Sequence, residues 1–302
     1  MEIKQLEIFI SVAKKLSFSK SAESLYLSQP TVSAQINSLE KSLGAQLLVR
    51  NTKGVCLTKV GEDFFLYAQK ILTLRDQAVI GASGNNHDIS GAIDIISSTI
   101  PAQHLLPGII SSFQKKWPNI IVRVNSGDSE KVVSEMSGFK YDFGMVGTVP
   151  TDDRFSCHCI YNDELVLVVP KDFTSEISPT IGSFTKHITS APFIMRESGS
   201  GTRVEIESLL KSLDIDHQKL HIPAYFSDAH SILLAVSEGM GLSLVPKIAA
   251  ELYVSCGLVK QIEISDELFM RKIYLIHKKE LWLSPMQKAF VDSCVAPSAN
   301  PL

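Results

Sequence analysis

Two short runs in this 302-residue chain carry the residue types that hold an anion. Ser97-Ser98-Thr99 falls between a predicted strand end and a helix opening near Pro101, so its hydroxyls join the free amides of a first helical turn. Glu197-Ser198-Gly199-Ser200-Gly201-Thr202-Arg203 is again a loop entering a helix. Its glycines admit close backbone approach, its hydroxyls donate, and Arg203 adds positive charge. A carboxylate, sulfate or phosphate suits both places, and ordinary helix capping would also account for each. Cys157-His158-Cys159 is the remaining cluster. On a strand its two sulfurs share one face and the imidazole takes the other. No second ligand pair accompanies it, so no closed zinc site is expected, and buried strand cysteines are the default. There is no Gly-x-Ser-x-Gly, HExxH or Walker-type loop, and the chain is read as a non-enzyme.

A different chemistry sits upstream, between Phe18 and Gly61. Read as a helix beginning after Ser28, the residues Val32, Ile36, Leu39 and Leu43 share one face. Ser28 suits the N-cap, Pro30 is tolerated in the first turn, and Gly44 suits a left-handed C-terminal cap. A shorter helix, roughly Lys20 to Leu25, precedes it across a tight turn. The outward face shows Gln29, Thr31, Ser33, Ala34, Asn37 and Ser38, where a solvated helix would carry more Lys and Glu. Amides and hydroxyls at a helix N-terminus suit base edges in the major groove. The same spacing would suit a helical hairpin packed on a partner subunit.

The elements that position these residues follow from periodicity. Residues 3–16 read as a helix with Leu6, Phe9, Ile10 and Ala13 on one side. Gln46 to Arg50 and Gly54 to Leu57 read as a hairpin turning at Asn51-Thr52-Lys53-Gly54. Arg50 and Lys53 on that hairpin are placed to meet backbone phosphates. Leu57, Val60, Phe64, Tyr67, Ile71, Leu74 and Ala78 then repeat at alternating steps of three and four, the seam of a two-helix contact. From Lys59 to Ile80 that helix would run roughly 30 Å. Residues 81–88, rich in Gly and Asn, read as a hinge. Beyond Gly91, strands at 92–97, 120–125, 141–146, 165–169, 222–226 and 242–245 alternate with helices, which predicts parallel sheets covered on both faces.

The amino-terminal residues resemble a known family. Leu6-Glu7-Ile8-Phe9, Ser17 to Glu23, Leu27 to Val32, Ile36 to Glu40, Leu43-Gly44 and Leu57-Thr58 before Gly61 are similar to the signature of LysR-type transcriptional regulators. Leu48 and Val60 depart from it, standing where Phe and Ala are usual, and Asn51 falls at a wing position that is often Arg or Thr. The resemblance implies an α + α/β chain. It has a winged helix-turn-helix at 1–58, a coiled-coil linker helix and hinge at 59–88, and a two-lobed effector-binding domain at 89–302. That domain is similar to periplasmic-type (type 2) solute-binding proteins, with lobe I at about 89–162 plus 268–302 and lobe II at about 163–267. On the DNA side the resemblance implicates Gln29, Pro30, Ser33 and Ala34, beside Thr31, Arg50 and Lys53 from the reading above. In the cleft it implicates Ser98, Thr99, Ile100 and Thr148 in lobe I. In lobe II it implicates Ser198, Gly199, Ser200, Thr202 and Phe226. The run from Arg196 to Arg203 is similar to members tied to sulfur, selenium or carbon-fixation metabolism.

Composition agrees with that reading. Residues 1–60 hold eight Lys or Arg against four Glu, a net charge of +4, while the rest carries −7. A basic head on an acidic body is expected when only the head meets phosphate. No run approaches the roughly 20 apolar residues of a membrane span, and the start shows no secretion signal, so the cytoplasm is expected. Five cysteines without framework spacing fit reduced thiols. The expected partners are double-stranded promoter DNA, a second copy through residues 57–80, a tetramer of such pairs, RNA polymerase and a small anionic effector. No cofactor or metal is expected.

Overall fold

The computed structural model describes residues 1–51, 54–83, 90–264 and 266–295. Helices α1 (Ile3–Lys15), α2 (Phe18–Ser24) and α3 (Gln29–Leu43) open the chain, followed by the hairpin β1 (Leu48–Asn51) and β2 (Gly54–Leu57). Ser28 caps α3 by accepting from the Thr31 amide at 3.2 Å, and Gly44 closes it at φ 65°. Val32, Ile36 and Leu39 are buried against Leu6, Phe9 and Val12 of α1. Leu43, expected on the same face, is instead 38% exposed, because the apolar stripe drifts off the contact in the last turn. Glu40 ties the hairpin to α3, its Oε1 accepting from the amides of Leu47 at 2.7 Å and Leu48 at 3.0 Å.

The 25-residue helix α4 (Lys59–Ser83) runs out of the hairpin. Thr58 anchors the junction: its hydroxyl donates to the Gln46 carbonyl at 2.7 Å and accepts from the Gly61 amide at 2.9 Å. A Cβ on Gly61 would collide with the Leu47 carbonyl, so only glycine lets helix and hairpin approach this closely. Phe65 and Ala68 complete the head's core, while Val60, Tyr67 and Leu74 on the other side are 52, 67 and 48% exposed. The helix continues through Ser83, so its last turn takes the first residues expected in the hinge, and 84–88 lie outside the described residues.

The remaining chain is an α/β domain. Strand β3 (Gly91–Ser98) leads through a π-helical turn (Pro101–Leu105) into α5 (Leu106–Lys116), then β4 (Ile120–Gly127), α6 (Ser129–Met136) and β5 (Phe143–Val146). The 16-residue strand β6 (Phe155–Pro170) follows, then α7 (Ile181–Ser190), β7 (Met195–Arg196), α8 (Gly201–Ser212) and β8 (Tyr225–Phe226). Next come α9 (Ala229–Ser237), β9 (Ser243–Pro246), α10 (Lys247–Ser255), β10 (Val259–Ile262), β11 (Met270–Lys278) and α11 (Pro285–Val295).

The sheet is mixed, not parallel as expected. Its order is β10-β6-β11-β5-β3-β4, with β9 also on β6, and β3 is parallel to β4 and β5 while β6 and β11 run antiparallel to their neighbours. The long antiparallel pair of β6 and β11 carries the chain between the lobes, and Arg271 stands directly opposite Asp163 on it. Strand β8 is only two residues, shorter than the expected 222–226, because Pro223 has no amide to give a ladder. One core cluster holds Phe113, Phe143 and Phe290 in lobe I, and others in lobe II hold Phe184, Phe193 and Phe269, or Val166, Ile232 and Val245.

Head and effector domain touch directly. Lys14 of α1 reaches the buried Asp142 at 2.6 Å, and that carboxylate also accepts from the Asp94 amide at 2.8 Å and from Gln287 at 3.1 Å. The Phe65 and Phe139 rings lie 4.3 Å apart. Cys157 and Cys159 are exposed, contrary to the expected burial. The covered face of β6 there carries His158, whose Nε2 lies 3.2 Å from that of His277, and the opposite face is open to solvent. Among the described residues no three His, Cys, Asp or Glu side chains could hold a metal.

Candidate functional site

On the head, Gln29, Pro30, Thr31 and Ala34 are exposed along the first turns of α3, with Ser33 half-buried. Asn37 and Ser38 extend the exposed row, although Ser38 also accepts from Gln5 of α1 at 3.3 Å. The Thr31 hydroxyl lies 2.7 Å from that of Ser28, so it completes the cap as well as facing outward. Arg50 falls within β1 and Lys53 lies outside the described residues. The surface thus offers two amides, small hydroxyls and a methyl along the exposed face of the helix, which fits a groove floor better than a charged partner.

The second site lies between the lobes. Ser98, Thr99 and Ile100 at the end of β3 meet Ser200, Gly201 and Thr202 at the start of α8, and all of them line one cavity of about 10 Å³. Asp128, Ser129 and Gly147 of lobe I, with Arg196 and Arg271, complete the wall. Ser200 caps α8, accepting from the Arg203 amide at 3.4 Å, and so aims that helix's free amides into the cavity. The lobes are in contact here: a Cβ on Gly201 would collide with Ser129 Oγ, and the Glu130 amide faces the Gly199 carbonyl at 3.5 Å. Space of this size holds about one water, so a larger ligand enters only when the lobes part.

Four residues named from the sequence lie beside this cavity, not on it. Thr148 lines a neighbouring cavity of about 340 Å³ that shares Gly147 and Arg271 with the first. Ser198 is exposed, Gly199 turns at φ 87° against the Asp128 carboxylate, and Phe226 pairs with Arg196 in the short β7–β8 ladder. Arg203, expected to add positive charge to the site, does not line the cavity: its Nε donates to Glu207 at 2.7 Å, its Nη1 to the Arg196 carbonyl at 3.3 Å, and the group lies over the Tyr225 ring. The Arg-x-x-x-Glu spacing, one helical turn, was the signal for that pairing.

The cations that do reach the cavity are Arg196 and Arg271. Arg196 is buried and already held by Glu197 at 2.9 and 3.0 Å and by the Ser227 carbonyl at 2.9 Å. Arg271 is also buried; its Nη1 donates to Thr202 Oγ1 at 3.1 Å and lies 3.2 Å from Glu205 Oε2, and its Nε is 3.7 Å from Asp163 Oδ2. Those ion-pair contacts are not aligned as hydrogen bonds. Glu205 Oε2, Asp163 Oδ2 and Arg271 Nε are buried without a hydrogen-bond partner among the described residues. Burial pushes the Glu205 carboxyl up to about 7, opposed by Arg271 and reinforced by Asp163. Burial likewise raises Asp163, outweighing Arg271. No local pattern announces this cluster, since Arg271 is far from Thr202 and Asp163 in sequence.

Residues 3–62 match the bacterial regulatory helix-turn-helix protein, lysR family, and residues 86–297 match the LysR substrate binding domain. A curated relative, an uncharacterized HTH-type transcriptional regulator of Methanocaldococcus jannaschii, is 32% identical over 92% of this chain and 93% of its own. A probable RuBisCO transcriptional regulator of Cyanidioschyzon merolae is 30% identical over 90% of each chain. A full-length OxyR variant from Pseudomonas aeruginosa shares the fold, with a TM-score of 0.73, 18% identity, and coverage of 99% of this chain and 96% of that one. The chain therefore belongs to the LysR family and is not an enzyme but a DNA-binding transcriptional regulator, with a helix-turn-helix head and a small-molecule effector-binding domain.

Proposed function

We propose that this regulator grips a two-fold related promoter site through α3 and the β1–β2 wing, and that a small anionic metabolite held between the lobes modulates its action. The observation that carries the effector reading is the convergence of Ser98, Thr99, Ser200, Thr202 and the buried Arg196 and Arg271 on one interlobe cavity. Hydroxyls, helix amides and guanidinium groups together favour an oxyanion or carboxylate. Because the cavity in this closed arrangement admits about one water, a larger anion enters as the lobes part, and binding then favours one lobe arrangement over another. It shifts the assembly only by the difference in affinity for the two arrangements. A change in head spacing then alters DNA bending and contact with RNA polymerase.

Dimerisation through residues 57–80 is supported by the exposed row of Val60, Tyr67, Leu74 and Ala78 on α4, which recurs at coiled-coil spacing. Strand β4 is a sheet edge, whose open row of backbone groups offers a second surface for joining dimers into tetramers. The RuBisCO regulator among its relatives and the Arg196 to Arg203 run direct the ligand search to anions of sulfur, selenium and carbon metabolism.

The test uses DNA sites selected by the protein from a random-sequence pool. Gln29→Ala should weaken binding to those sites, while Thr202→Val should retain it and lose the response to the anion. Loss of DNA binding in a folded Thr202→Val protein would break the proposed division of labour.

A further inference from the structure

Glu205 lies where the two lobes, the two hinge strands and both cavities meet. Its carboxyl faces Arg271 from β11 and Asp163 from β6. The Tyr274 phenol on β11 is near enough to feel its charge, and Lys272 of the same strand lines the 340 Å³ cavity with it. From lobe I, the turn after β5 offers Gly147 and Thr148, with no titratable group. A Cβ on Gly147 would collide with Arg271 Nη2 and lie 3.9 Å from Glu205 Oε1, so backbone packs directly on this cluster. One guanidinium is thus divided between two carboxylates and the Thr202 hydroxyl, and its Nε and one oxygen of each acid are left without hydrogen bonds.

From this arrangement we infer that anion binding in the cleft is coupled to the uptake of one proton by Glu205, so that the regulator reads an anion and acidity together. The inference rests on the anionic-effector reading proposed above. An anion on Thr202 places negative charge within a residue's width of Glu205 and draws on Arg271, the cation that now compensates it. Repulsion and the loss of compensation both favour the neutral acid. The proton comes from solvent and goes to a carboxylate oxygen of Glu205, leaving Arg271 to the anion and Asp163. Burial already holds this carboxyl near neutrality, at about 7, so the coupling falls within a physiological range.

Sulfate is the probe, because it does not titrate between pH 6 and 8.5, and chloride keeps ionic strength constant. Titration calorimetry of the full chain in buffers of different ionisation enthalpy should show uptake of about one proton at pH 8. The sulfate association constant should fall about tenfold from pH 7.5 to 8.5 and level off below pH 6.5. Glu205→Gln should bind sulfate with no proton uptake and a flat profile, and Thr202→Val should lose the binding. Sulfate binding by the native chain without proton uptake would overturn the coupling and leave the anion cleft standing. Uptake that persists unchanged in Glu205→Gln would overturn the assignment to this residue. No sulfate binding at any pH would overturn the inferred coupling of sulfate to Glu205 and leave the anion reading of the cleft to the other anions.

Discussion

The Glu205 carboxyl makes the stability of the effector domain depend on pH in a direction that can be worked out. Its folded value is about 7 against an ordinary 4.5, chiefly through burial. Below pH 4.5 the acid is protonated in both folded and unfolded chains and contributes no difference. Between pH 4.5 and 7 the unfolded chain ionises while the folded one stays neutral, so stability falls by about 1.36 kcal/mol per pH unit. Above pH 7 both forms are ionised and the loss levels off at about 3 kcal/mol. The side chain is only 18% exposed, so solvent screening does not remove the effect. Glu205→Gln cannot titrate, and the native chain should therefore lose about 3 kcal/mol relative to this variant as pH rises from 4.5 to 7.5. Urea unfolding followed by the fluorescence of Trp117 and Trp282 measures this at each pH. A constant offset between the two proteins is expected from the altered contact with Arg271. Curves that stay parallel across the range would show that Glu205 is not held neutral by burial in the folded chain.

Other perturbations follow from the geometry. Asp142→Ala would leave Lys14, Gln287 and the Asp94 amide without their shared acceptor, at a cost of about 3–5 kcal/mol in urea unfolding, and Lys14→Met paired with it in a mutant cycle should isolate the head-to-domain share. Gly61→Ala should cost about 1–3 kcal/mol from the collision with the Leu47 carbonyl, against a gain of about 1 kcal/mol in helix propensity, and should weaken DNA binding by moving the wing. Leu74→Glu on the exposed row of α4 should convert the oligomer to monomer in sedimentation analysis while leaving the thermal midpoint of the head within a few degrees.

The head was legible because its signals are local. Ser28, Pro30, Gly44 and the spacing of Val32, Ile36 and Leu39 act within one helix, and the structure shows each acting as its chemistry requires. The effector domain was legible in its strand and helix rhythm but not in its pairing. Nothing near β6 indicates that it runs for 16 residues or that β11, about a hundred residues away, lies antiparallel to it. The exposed Cys157 and Cys159 follow from the same gap, since the covered face of a strand depends on which neighbours it acquires. In the cleft, the hydroxyl-bearing loops were visible as loops entering helices. The charges were not: Arg203 was close in sequence yet is taken by Glu207, whereas Arg271 arrives from the far hinge strand.

Binding of a small anion between the lobes at Thr99, Ser200 and Thr202 is the proposal on which effector control of this regulator rests. Its most direct test is the thermal midpoint of the full chain against sulfate, thiosulfate, sulfite, phosphate, selenite, acetylserine and short dicarboxylates at fixed ionic strength, with Thr202→Val in parallel. A ligand at a hundred times its dissociation constant adds about 2.7 kcal/mol, which raises the midpoint of a domain this size by about 5–10 °C. Such a rise is expected for one of these anions in the native chain and none in the variant. A rise of equal size in both proteins, or no rise with any of the anions, would contradict it.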